Sequence, residues 1–110
     1  MSVRVQVHPP SGTIILDRPD RRNALSRRLL DDLQQALDDL HQERKVRAVI
    51  LTGAGTAFCA GMDLVEMRET SQAEDPHPQW YADAVQYKEL VESMLRFPKP
   101  IIAAVNGPAV

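Results

Sequence analysis

Ala57-Phe58-Cys59-Ala60-Gly61-Met62-Asp63-Leu64-Val65-Glu66-Met67 reads as a strand that passes through a glycine turn into an acidic-capped helix. This transition decides the fold class. Gly61 can take backbone angles closed to other residues. Asp63 is a good N-cap, and Glu66 three positions later completes an Asp-x-x-Glu variant of the capping box. The first free amides of such a helix fall near Met62 and Asp63, where the positive end of the helix dipole favours an anion or a developing oxyanion. Taken alone, the segment is read first as an ordinary strand-to-helix connection.

The surrounding sequence alternates strands and helices. Arg4 to Val7 and Thr13 to Leu16 form a predicted hairpin through Pro9, Pro10, Ser11 and Gly12. From Ser26 to Glu43, Leu29, Leu30, Leu33, Ala36, Leu37 and Leu40 recur at three- and four-residue spacings, with Asp31, Asp32, Asp38 and Asp39 mostly opposite, which predicts an amphipathic helix on a sheet. Val46 to Thr52 is a mostly apolar strand ended by Gly53, and its near-continuous hydrophobicity suits a parallel strand covered on both faces. A helix over Leu64 to Glu69 is followed by a polar, mobile loop from Thr70 to Gln79 that carries Pro76 and Pro78. Tyr81 to Arg96 is a further helix, stopped by Phe97-Pro98-Lys99-Pro100, and Ile101 to Val105 is the next buried strand. The order predicts right-handed crossovers and an α/β layer in one domain over residues 1–110. Ligands gather at the carboxyl ends of parallel strands in such sheets, where the turn after Phe58 lies.

Composition narrows the class of function. With 110 residues, 44% hydrophobic and 25% charged, the chain fits one globular domain or part of one. A formal net charge of -2 gives no reason to invoke nucleic acid. The sequence has no apolar run that would span a bilayer, and its start alternates like a strand rather than a signal peptide. A cytoplasmic location is expected. The single cysteine, Cys59, fits a reducing compartment and is read as a small buried core residue.

Three further segments lie in register with the first. Thr13-Ile14-Ile15-Leu16-Asp17-Arg18-Pro19-Asp20-Arg21-Arg22-Asn23-Ala24-Leu25-Ser26 lies upstream, Ala48-Val49-Ile50-Leu51-Thr52-Gly53 between, and Lys99-Pro100-Ile101-Ile102-Ala103-Ala104-Val105-Asn106-Gly107-Pro108-Ala109 downstream. Together they resemble the enoyl-CoA hydratase/isomerase (crotonase) family nearly from end to end. The resemblance implies a crotonase-like spiral of ββα units, truncated at Val110 before the second oxyanion-hole turn, so that the chain reads as an amino-terminal fragment. It implies an acyl-CoA thioester as substrate, a thioester enolate as intermediate, no separate cofactor, and a homotrimer or homohexamer for the full-length form. Enoyl-CoA hydration is the expected reaction, with isomerisation, thioester hydrolysis, or a noncatalytic acyl-CoA-binding or assembly role on the same scaffold as alternatives.

Carried over by position, the resemblance makes the Met62 amide the first oxyanion donor and puts the second donor and the catalytic carboxylates beyond Val110. Met62 is larger than the alanine often found there and is expected to narrow the acyl pocket. Main-chain groups of Arg22, Asn23, Ala24 and Ala60 are expected to meet coenzyme A, with Gly61, Asp63 and Leu64 completing the substrate site. Arg18, Arg21 and Arg22 could offer guanidinium forks to phosphate, against the alternative of a solvated basic turn. Trp80, Tyr81 and Tyr87 are assigned to packing of their helix, and Glu66 to capping rather than base catalysis. Gly53-Ala54-Gly55-Thr56-Ala57-Phe58 lacks the third glycine of a dinucleotide fingerprint. His8, His41 and His77 lack the spacing of a metal site. A piece of a larger spiral is expected to expose apolar strand surface and to aggregate or fold partially.

Overall fold

Ile14 and Leu16 alternate with half-buried residues along one strand, and this alternation sets the inner face of the sheet. In the computed structural model, which describes residues 2–110, β1 (Val3–His8) pairs antiparallel with β2 (Ser11–Leu16), and β2 pairs parallel with β3 (Ala48–Gly53). A third pairing, also parallel, joins β3 to β4 (Ile101–Ala103), giving the strand order β1-β2-β3-β4. The sheet is open at both edges. Helix α1 (Arg27–Gln42) crosses between β2 and β3, while α2 (Leu64–Ser71) and α3 (His77–Leu95) cross between β3 and β4.

Helix α1 is where the predicted periodicity is expressed in full. Its six apolar positions from Leu29 to Leu40 are all buried, and they meet Ile14, Leu16, Val46 and Val49 in the main core. Ser26 starts the helix by accepting the Leu29 amide proton at 3.1 Å. At the other end Lys99 donates to the carbonyls of Leu40 and Glu43 at 2.6 and 2.9 Å, placing a cation on the negative end of the helix.

Several expectations are corrected. Strand β3 is not covered on both faces, since Val49 alone is fully buried and its neighbours are half-buried. β4 ends at Ala103 rather than Val105, and Ile102 and Val105 are exposed. Residues 57–59 form no regular strand; a single bridge between Cys59 and Ala109 replaces it. The predicted loop shrinks to residues 72–76, because α2 continues to Ser71 and α3 begins at His77. Pro78 sits in the first turn of α3, where a missing N–H costs no helical hydrogen bond.

Candidate functional site

Two asparagines fix the loop that leads into the glycine turn. Asn23 is fully buried, accepts from the Arg18 amide at 2.8 Å, and donates to the Ala54 and Ala57 carbonyls at 3.0 and 2.9 Å. From the opposite side Asn106 accepts from the Gly53 amide at 3.1 Å and donates to the carbonyls of Gly55 and Ala57 at 3.2 and 3.3 Å. Gly53 leaves the space for this clasp: a Cβ there would lie 2.6 Å from the Ala57 oxygen and 2.8 Å from the Asn23 amide nitrogen.

Beyond the clasp the chain runs beside residues 22–25. Ala60 N–H donates to Arg22 O at 3.0 Å, Leu25 N–H donates to Gly61 O at 2.7 Å, and Asp63 N–H donates to Leu25 O at 3.2 Å. In a trans peptide the C=O and N–H point in opposite directions. Because the Gly61 carbonyl faces Leu25, the N–H of Met62 on the same peptide plane points away from Leu25. It donates to no group among the described residues. Gly61 makes this turn at φ +93°, a region open to glycine.

Asp63 caps α2 by accepting from the Val65 and Glu66 amides at 2.9 and 3.1 Å, and Arg18 pairs with its other oxygen at 3.1 Å. Burial alone would raise the Asp63 carboxyl. The Glu66 amide and the Arg18 guanidinium outweigh it and hold the group below the ordinary carboxylate value. The capping box is not formed, because Glu66 accepts from the Arg27 amide at 3.0 Å while the Asp63 amide is spent on Leu25. Asp63 N–H is therefore not a free donor. Arg18 commits its Nη1 to Asp63 and the Ala24 carbonyl.

Met62 lies between two hollows. A cavity of about 570 Å³ is lined by Met62 with Leu25, Gly61, Met67, Trp80, Asp83, Ala84, Tyr87 and Val110. A groove of about 200 Å³ is lined by Met62 with Arg21, Ala24, Ala60, Asp63, Leu64 and Val65. The structure thus brings Met62, Gly61, Ala60, Ala24, Asp63 and Leu64 together. Asn23 stands behind them as a buried support, and the main-chain N–H and C=O of Arg22 are bonded to Pro19 and Ala60. Trp80 and Tyr87 are 41% and 44% exposed and form cavity wall rather than helix packing, a correction to the sequence reading. Helical spacing placed them on α3, but nothing local signalled which face the hollow would take. Cys59 is buried against the core, as expected. Among the described residues no three His, Cys, Asp or Glu side chains gather to hold a metal ion.

A glycine turn thus leads into a helix with one amide left without a partner among the described residues, beside an apolar cavity and a groove. The family model for enoyl-CoA hydratase/isomerase matches residues 12–110. The chain belongs to the enoyl-CoA hydratase/isomerase family. It is 39% identical over 105 residues to the enoyl-CoA isomerase/hydratase of Mycosarcoma maydis, covering 87% of this chain and 36% of that one. It is 38% identical over 99 residues to a 4-chlorobenzoyl coenzyme A dehalogenase of an Arthrobacter species, covering 90% of this chain and 36% of that one. The crystal structure of an enoyl-CoA hydratase/isomerase from Xanthobacter autotrophicus superimposes with a TM-score of 0.89 at 33% identity, covering 98% of this chain and 39% of its own. The hairpin, helix and parallel crossovers are thus the ββα topology of the crotonase fold, with an open sheet. The chain spans a little over a third of the length of these family members. No described helix is long and apolar enough to cross a membrane.

Proposed function

We propose that this family member acts on acyl-coenzyme A thioesters, adding water to a 2-enoyl-CoA, with the Met62 N–H as one donor to the thioester oxygen. The observation that carries the proposal is the uncommitted Met62 amide at the junction of the two hollows. In this reading the acyl chain occupies the apolar cavity. The coenzyme lies along the groove against Ala24 and the Ala60 carbonyl, with Asp63 and Leu64 shaping its floor, Gly61 on the cavity side, and Arg22 and Asn23 holding the adjoining turn. Water oxygen bonds to the β-carbon as one of its O–H bonds gives up a proton, the double-bond electrons move through the α-carbon onto the thioester oxygen, and Met62 N–H stabilises the resulting enolate until those electrons return to bond a proton at the α-carbon, which restores the C=O with the net addition of H and OH. Glu66 and Asp83 do not serve this proton transfer in the proposal, since both are engaged by Arg27. The proposal extends to a cytoplasmic enzyme assembled as a homotrimer or homohexamer.

The test is a steady-state survey of the full-length protein carrying this sequence against enoyl-CoA thioesters of increasing chain length, followed by amide-to-ester replacement at the Gly61–Met62 bond. Losing one oxyanion donor is expected to lower kcat by about 10²–10³-fold. An unchanged kcat in the ester variant removes Met62 from the mechanism. The engagement of Glu66 and Asp83 by Arg27 favours one second reading, a noncatalytic acyl-CoA-binding or assembly role. Coenzyme A binding without turnover of any thioester would select it, whereas isomerised or hydrolysed products would reassign the reaction within the family.

A further inference from the structure

Arg27 is the first residue of α1, and its N–H, its carbonyl, Nε and Nη2 each reach another helix. Its N–H donates to Glu66 of α2 at 3.0 Å, and its carbonyl accepts from Gln86 of α3 at 2.9 Å. Its guanidinium forms a two-pronged pair with Asp83 of α3 at 2.8 and 3.0 Å and donates to the buried Thr70 of α2 at 2.8 Å. Apolar anchoring of these helices is slight by comparison. Thr70 is the one fully buried residue of α2, and Leu90, near the far end, is the one fully buried residue of α3. The half of α3 that forms the cavity wall, including Trp80 and Asp83, buries no residue fully. Helix α1, with six buried apolar residues, is by contrast fixed to the sheet.

We propose that Arg27 is a positioning residue that sets the width of the apolar cavity, and through it the acyl chain length accepted, by tying α2 and the first half of α3 to the end of α1. This rests on the acyl-CoA reading above. A bidentate guanidinium–carboxylate pair fixes both distance and angle, which a lysine point charge does not.

The experiment compares Arg27→Met, Arg27→Lys and Asp83→Asn in the full-length protein, with two readouts. In the first, the ratio of kcat/KM for a short-chain over a medium-chain enoyl thioester should fall by about tenfold in Arg27→Met. The change should lie in KM, with Arg27→Lys intermediate and kcat for the short substrate largely retained. In the second, acrylamide quenching of Trp80, the single tryptophan of these 110 residues, read in a background where any tryptophan elsewhere in the full-length protein is replaced by phenylalanine, should increase in Arg27→Met and Asp83→Asn while the urea midpoint shows the body still folded. An unchanged chain-length ratio together with unchanged quenching would overturn the proposal. Asp83→Asn, at a half-buried helix position, keeps the test open if Arg27→Met does not fold. If the unaltered protein neither turns over a thioester nor binds coenzyme A, the acyl-CoA reading fails on its own, and Trp80 quenching still decides whether Arg27 holds the wall.

Discussion

Arg22 and Asn23 sit at φ +51° and +59°, two successive left-handed residues that few side chains accept. Asparagine tolerates this region, and here its side-chain amide also pairs with the Arg18 N–H and with the carbonyls of Ala54 and Ala57, the last shared with Asn106. Asn23→Ala should therefore cost about 2–4 kcal/mol, measured as a shift in the urea unfolding midpoint at constant slope. The Asn-Ala-Leu stretch was readable as a marker of the loop before the long helix, but not the reason for it. That reason lies 34 residues away at Ala57, and no local pattern announces a side chain that reaches across a fold. Lys99 is a similar case: the Lys-Pro pair could be recognised, while its task of closing the end of α1 needs the tertiary structure. The glycine turn was the opposite case. Gly61 and the Asp63 cap are local consequences of chain geometry, whereas the structure sends Glu66 to Arg27, commits the Asp63 amide to Leu25 and leaves residues 57–59 outside any regular strand.

Among the elements, α1 carries most of the core. Leu37 is 1% exposed at the centre of its buried face. Truncation to alanine should destabilise the fold by about 2–5 kcal/mol in a urea titration, because the surrounding sheet limits collapse into the void. This helix was read from sequence to within a residue at each end because its apolar and acidic positions segregate cleanly. Helices α2 and α3 were read less well, for a physical reason. Their apolar residues do not form one stripe, since the face that would be core in a simple layer is here the rim of a hollow, where Leu64, Val65, Met67, Trp80 and Tyr87 stay exposed. The prolines at 76 and 78 then looked like a break in structure rather than the entrance to α3. The hydrophobic run after Pro100 misled in the other direction, because a strand's composition cannot say which of its faces is covered.

Across the whole molecule, three carboxylates couple folding to pH. Asp32 is held by the Ser2 backbone and hydroxyl, Asp63 by the α2 amides and Arg18, and Asp83 by Arg27, and all three titrate below the ordinary value of 3.8. A carboxyl whose folded pKa is depressed adds stability above its unfolded pKa and loses it as pH falls through the folded one. The urea midpoint should accordingly be level at mildly acidic pH and fall as the pH drops below about 4. A midpoint independent of pH through that window would show that these pairs contribute nothing net. The same three groups bracket a mechanical division. The sheet, α1 and the Leu90 end of α3 are held by apolar packing, whereas α2 and the first half of α3, around the larger hollow, rest on one arginine and a few polar bonds. Evolution or an engineer could accordingly rewrite that rim for a new guest at little penalty to the frame beneath it.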